Sequence, residues 1–169
     1  MKIRNGSTCL LIHRGRVLLI LRDRNPRWRF WKKISFPERH ALVSGGQEET
    51  DGSPLATIAR EVREELCLCI SLDRFELFDI AEPLPDVVSH TYCVELTQAE
   101  VLAIRLREGQ SYDFYSFKEI EELFLRGDIP QGLGGAIARL MRGKAARIAR
   151  RLNKSLVLDR QRQRSTHAI

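Results

Sequence analysis

The segment Gly46–Leu66 constrains this chain more than any other. Preceded by Gly45, it opens on Gly46, passes through Ser53-Pro54, and continues as Arg60-Glu61-Val62-Arg63-Glu64-Glu65. Ser53 suits a helix N-cap and Pro54 the first helical position, where a missing N–H costs nothing. Leu55, Ile58, Val62 and Leu66 then recur at helical spacing and predict a buried stripe. At about 100° per residue, Glu61, Glu64 and Glu65 fall together on a neighbouring face. Three carboxylates within little more than one turn repel one another, so a positive partner is expected there. A hard divalent cation satisfies that need with oxygen ligands and joins protein carboxylates to substrate phosphates. A solvated acidic face, eased by Arg60 and Arg63, is the plainer alternative.

Strand signals surround this helix. Ser7–His13 and Arg16–Arg22 are β-rich runs joined through Arg14-Gly15 as a hairpin. His40–Ser44 leads into Gly45-Gly46, which is expected to turn tightly. Leu72–Ile80 and Ser89–Leu96 follow, separated by the breakers Pro83 and Pro85, and then Tyr112–Ser116 precedes a helical Phe117–Arg126. Strands on both sides of a helix, without a regular βαβ rhythm, predict an α/β chain with a mixed sheet between helices. The length of 169 residues suits one domain with a real core.

The spacing resembles that of the Nudix hydrolases. Their signature is Gly, five residues, Glu, seven residues, Arg-Glu, an aliphatic residue, any residue, Glu-Glu, any residue, Gly and an aliphatic residue. Gly46, Arg60, Glu61, Val62, Glu64, Glu65 and Leu68 occupy their positions, whereas Gly52 replaces the first Glu and Cys67 the closing Gly. The resemblance implies a Nudix-type α/β/α sandwich and a pyrophosphatase, and the chain's cysteines, expected as free thiols, suit a cytoplasmic one. It further implies Mg²⁺, with Mn²⁺ as its substitute, held by Glu61, Glu64 and Glu65. Arg60 is then the residue that orients the carboxylates, and Glu48, Glu49 or Asp51 replaces the first Glu. Cys67 is expected to carry the strain of a left-handed helix end unless the turn is built differently.

A second resemblance lies in Glu108-Gly109-Gln110, found before the final strand and helix in the MutT-like branch that acts on nucleoside triphosphates. It makes Glu108 a catalytic candidate with Glu61, Glu64 and Arg60. The substrate is expected to be a nucleoside diphosphate derivative, bound by Gly45, Gly46, Arg22, Trp28 and Trp31. The last two lie in the aromatic and cationic stretch Asn25–Phe36, whose rings suit base stacking. The first reading is cleavage of a nucleoside triphosphate, ordinary or oxidised, to monophosphate and pyrophosphate. ADP-ribose or nucleotide-sugar cleavage, removal of pyrophosphate from an RNA 5′ end, and a non-catalytic nucleotide- or RNA-binding module stay open.

Residues 1–138 are expected to form the Nudix domain and 139–169 a basic helix and tail. The latter hold 10 of the 28 Lys and Arg and one acid, a charge of +9 that leaves −3 for the rest. Such a segment suits RNA or an anionic surface, or simply solubility. A homodimer is expected from the family alone. No apolar run is long enough to span a membrane, and no signal-peptide pattern opens the chain. Cys9, Cys67, Cys69 and Cys93 sit in apolar runs and are expected as buried free thiols. His13, His40, His90 and His167 show no metal-ligand spacing, and Gly132–Gly135 lacks the Lys-Ser/Thr of a phosphate loop.

Overall fold

Apolar residues run almost unbroken through Cys9–Ile12 and Val17–Ile20, the pattern of strands covered on both faces. The computed structural model, which describes residues 4–24 and 38–130 (side chains of Pro83 and Leu84 apart), shows that arrangement. Cys9, Leu11, Leu18 and Ile20 point to one face and Leu10, Ile12, Val17 and Leu19 to the other, as a period of two requires.

Strands β1 (Arg4–His13) and β2 (Arg16–Leu21) form the expected hairpin. Arg14 and Gly15 both take positive φ, 49° and 74°. Next come β3 (His40–Ala41), β4 (Val43–Gly46), helix α1 (Pro54–Leu66), β5 (Glu76–Leu84) and β6 (Val87–Glu95). Helix α2 (Gln98–Ala103), β7 (Ser111–Tyr115) and helix α3 (Phe117–Leu125) complete the described part. Within it, seven strands make one mixed sheet. One edge of β1 pairs in parallel with β6, from Arg4↔Val87 to Ile12↔Glu95. Its other edge is divided: β4 pairs antiparallel along Gly6–Cys9, and β2 takes over at Ile12 and His13. The run His40–Gly46 thus stitches the two splayed hairpin strands, β3 onto β2 and β4 onto β1.

Helix α1 covers one sheet face with Ile58, Val62 and Leu66, all fully buried, while Leu55 packs at the margin. Each such side chain contributes about 2 kcal/mol of transfer free energy. On the opposite face Ile120 and Leu123 of α3, with Ile129, cover Leu10, Leu19 and Leu42. The result is the α/β/α sandwich with a mixed sheet that the sequence predicts.

Several expectations change. Gly45 and Gly46 are no turn: both lie inside β4, paired with Ser7 and Gly6, and neither has positive φ. Leu72–Arg74 is a short 3-10 turn, so that strand starts at Glu76 and continues through Pro83. The proline sits on the outermost strand, at a break in register between Ala81 and Leu84, where its missing N–H is tolerated. Helix α2 escaped the hydrophobic pattern, although Thr97 and Glu100 form a capping box that the sequence displays. Cys9 and Cys93 are buried free thiols, but Cys67 and Cys69 are exposed. Leu66 and Leu68 take the core positions around them. Trp28, Trp31, Gly132–Gly135 and the basic segment 139–169 lie outside the described residues. Among the described residues no helix is long and apolar enough to cross a membrane.

Candidate active site

Helix α1 begins as its sequence dictates. The Ser53 hydroxyl accepts from the Ala56 N–H at 3.1 Å, Pro54 follows at the first position, and Ser7 Oγ donates to the Pro54 carbonyl at 2.7 Å. Its far end is less comfortable. Cys67 closes the helix in the left-handed region, φ 56°, donating its N–H to the Arg63 carbonyl. A non-glycine residue is penalised there by about 1–2 kcal/mol. Cys67→Gly is therefore expected to raise stability by about 1 kcal/mol after glycine's extra unfolded freedom is subtracted. Chemical denaturation checks this as a higher midpoint at unchanged slope.

The three glutamates of the helix are not equivalent. Glu61 and Glu65, one turn apart, point inward and are 4% and 2% exposed, while the Glu64 side chain is 41% exposed. Arg60 sits among the acids as a hub. Its Nε and Nη2 donate to Asp51 Oδ1 and Oδ2 at 2.8 and 3.0 Å. Nη1 lies 2.9 Å from Glu61 Oε1 and 3.1 Å from Glu64 Oε2, and Nη2 also donates to the Gly46 carbonyl at 3.1 Å. The planar fork suits such multiple recognition. Asp51 further accepts from the Glu48 N–H and the Thr57 hydroxyl. The Arg60 hydrogen bonds, first among these, hold the Asp51 carboxyl down to about 2. Asp51 thereby ties the loop before α1 to Arg60; Gly52 beside it has φ 63°.

Glu65 has a different counterion. Arg22, at the end of β2, places Nη1 3.1 Å from Glu65 Oε2 and donates from Nη2 to Oε1 at 3.2 Å. Burial pushes the Glu65 carboxyl up to about 7, a shift that Arg22 opposes and the charges of Glu108 and Glu61 reinforce. Glu65 Oε2 is buried, and its contact with Arg22 is an ion pair rather than an aligned hydrogen bond. The guanidinium expected to meet substrate is thus folded onto a helix glutamate, and also reaches the Leu42 carbonyl at 3.3 Å.

The glycine pair has a use other than bending. A Cβ on Gly45 would stand 1.9 Å from Glu61 Oε1, so only glycine lets this carboxylate lie on the strand. Gly46 faces open space on the other side. There a cavity of about 390 Å³ is lined by Arg4, Thr8, Ser44, Gly46 and Ser89 among others. These small polar residues follow β-strand alternation, a signal the sequence offered but one without chemistry of its own. The loop bearing Glu108 closes the opposite side: Arg107 N–H donates to the Glu65 carbonyl at 2.8 Å and Gln110 N–H to the Leu21 carbonyl at 2.8 Å. Among the described residues no three His, Cys, Asp or Glu side chains converge as a metal cage. The guanidinium of Arg60 stands between Glu61 and Glu64.

No protein-family model and no curated protein matches the sequence. Solved structures do match the fold. A MutT protein from Methanosarcina mazei Go1 is 20% identical, with 83% of this chain and 94% of that one covered and a TM-score of 0.56. The chain has the Nudix fold. A MutT/Nudix family protein from Enterococcus faecalis is 21% identical at a TM-score of 0.51; the match covers 68% of this chain but only 44% of that one. The Nudix domain of Shewanella oneidensis NrtR, solved in complex with ADP ribose, is 14% identical over 72% of this chain and 77% of its own, with a TM-score of 0.53. Within the Nudix fold, the helix that carries Glu61, Glu64 and Glu65 is the one packed against the glycine strand.

Proposed function

We propose that this chain is a Nudix pyrophosphohydrolase, cleaving a nucleoside diphosphate-linked substrate with the help of a divalent cation. The observation that carries this reading is the seating of Glu61 on Gly45, one turn from buried Glu65 and beside Glu64. The donors fit Mg²⁺ or Mn²⁺: they are hard carboxylate oxygens gathered within little more than one turn of α1. Glu61, Glu64 and Glu65 are the residues to hold the ion, which when bound neutralises phosphate oxygens and polarises the anhydride.

The chain's own groups supply the rest. Arg60, fixed by Asp51, keeps Glu61 and Glu64 in place, and Arg22 does so for Glu65. Glu108 accepts the proton of the attacking water at a carboxylate oxygen. The cavity beside Gly46 receives the nucleoside portion, with hydroxyls of Thr8, Ser44 and Ser89 as hydrogen-bonding groups and Arg4, ion-paired with Asp86, at its rim.

A nucleoside triphosphate is the first substrate class, on the strength of Glu108-Gly109-Gln110. ADP-ribose is the second, favoured by the fold shared with the NrtR domain and its ligand. The test is release of phosphate and pyrophosphate from ordinary and oxidised nucleoside triphosphates, ADP-ribose, nucleotide sugars and 5′-triphosphate RNA. Each is assayed with Mg²⁺, with Mn²⁺ and with EDTA. Metal-dependent turnover of one class, absent in EDTA, is expected. Nucleotide binding without turnover under any condition makes the chain a binding module instead.

A further inference from the structure

Glu108 lies on the loop between α2 and β7, which runs against the last turn of α1. The next residue, Gly109, has φ 106°, and a Cβ there would stand 2.5 Å from Ile20 Cγ2 and 2.9 Å from the Leu21 carbonyl oxygen. The loop is thus pressed onto the end of β2 at a residue whose own backbone has little preference for staying.

Hydrogen bonds on both sides of Glu108 counter this freedom. Before it, Arg105 and Arg107 donate their N–H groups to the Leu66 and Glu65 carbonyls at 3.0 and 2.8 Å, which ties the loop to the last turn of α1. After it, the Gln110 N–H donates to the Leu21 carbonyl at 2.8 Å and Gln110 Nε2 to the Arg22 carbonyl at 3.1 Å. The bond closest to Glu108 on this side is the Gly109 N–H to Asp23 Oδ2, at 3.2 Å. A carboxylate acceptor makes such a bond stronger than a neutral one does.

We propose that Asp23 is a positioning residue: by holding the Gly109 N–H it fixes Glu108 beside Glu65. Asp23 touches no reacting atom and acts through the backbone of the neighbouring residue. The inference rests on the hydrolase reading for its effect on rate, but its structural half stands apart from turnover.

The experiment compares Asp23→Ala and Asp23→Asn, alone and with Glu108→Gln, by steady-state kinetics on the best substrate and by amide hydrogen exchange at Gly109. Misplacing a reacting group by about 1 Å costs up to about 100-fold, so Asp23→Ala is expected to lower kcat by about 10- to 100-fold with KM changed less than about twofold. Asn retains an acceptor oxygen, and Asp23→Asn is expected to keep kcat within about threefold of wild type. With Glu108→Gln already present, Asp23→Ala should change kcat by less than about twofold, because coupled residues are not additive. Gly109 exchange should accelerate about tenfold or more in Asp23→Ala and not in Asp23→Asn. Equal loss of kcat in both backgrounds, or unchanged Gly109 exchange in Asp23→Ala, overturns the proposal. A wild-type protein that turns over nothing refutes the hydrolase reading instead; Gly109 exchange then decides by itself whether Asp23 holds the loop.

Discussion

On the hydrolase reading, Gly45→Ala is expected to lower turnover by about 100-fold or more while the protein still folds. The added Cβ stands 1.9 Å from Glu61 Oε1, 2.1 Å from its Cδ and 2.7 Å from its Cγ. A flexible tip could swing away, but this side chain is 4% exposed and its carboxylate is held 2.9 Å from Arg60 Nη1. Glu61 must leave its rotamer and take the ion pair with it. Displacement of a catalytic group by about 1 Å is enough for a 100-fold loss, and the fall should appear in kcat. Overpacking costs a further 1–3 kcal/mol or so of stability. Gly46→Ala is the internal control. Nothing lies within 4 Å of its added Cβ, so stability should stay near wild type while KM rises as the methyl enters the cavity. Kinetics and thermal melts of the two variants check both halves. Full activity in Gly45→Ala removes Glu61 from the chemistry.

The second large effect concerns stability. Asp51→Ala leaves the Arg60 guanidinium without its bidentate partner, beside one buried and one half-exposed acid, and removal of one member of a buried pair costs about 3–5 kcal/mol. For a chain of this size that amounts to a melting point roughly 10 °C lower. The pH dependence has a definite sign. The Asp51 carboxyl is held at about 2 against an ordinary value of 3.8, so its contribution is complete above 3.8 and disappears as pH falls towards 2. Wild type should therefore lose stability across that window more steeply than Asp51→Asn, which has already lost the ionised partner. Urea denaturation at intervals from pH 6 to pH 2 measures the difference. Parallel curves mean that Asp51 carries no such linkage.

Local signals were the readable ones. Ser53-Pro54, the stripe Ile58-Val62-Leu66 and the Arg14-Gly15 turn each describe their own segment, and each occurs as its chemistry dictates. The glycine pair misled because consecutive glycines suggest a bend, whereas the demand on Gly45 comes from a side chain 16 residues further along. Helical spacing put the three glutamates together but could not divide them into two buried and one half-exposed, since the sheet beneath makes that division. Arg22 with Glu65 and Asp23 with Gly109 join residues 43 and 86 apart, and no periodicity reports such pairs. The exposed thiols were legible in principle: Leu66 and Leu68 alternate with Cys67 and Cys69, and the leucines have the stronger claim on the core.

The divided edge of β1 bears on how the chain is made. Its β4 partner is complete once Gly46 has been synthesised, but its β6 partner is not complete until Glu95. At ordinary rates of synthesis the interval is roughly 2–10 s. Throughout it, the apolar run Cys9–Ile12 presents an unpaired strand edge to the crowded surroundings of the ribosome. Substitutions that delay β6 should therefore reduce soluble yield before they affect the finished fold.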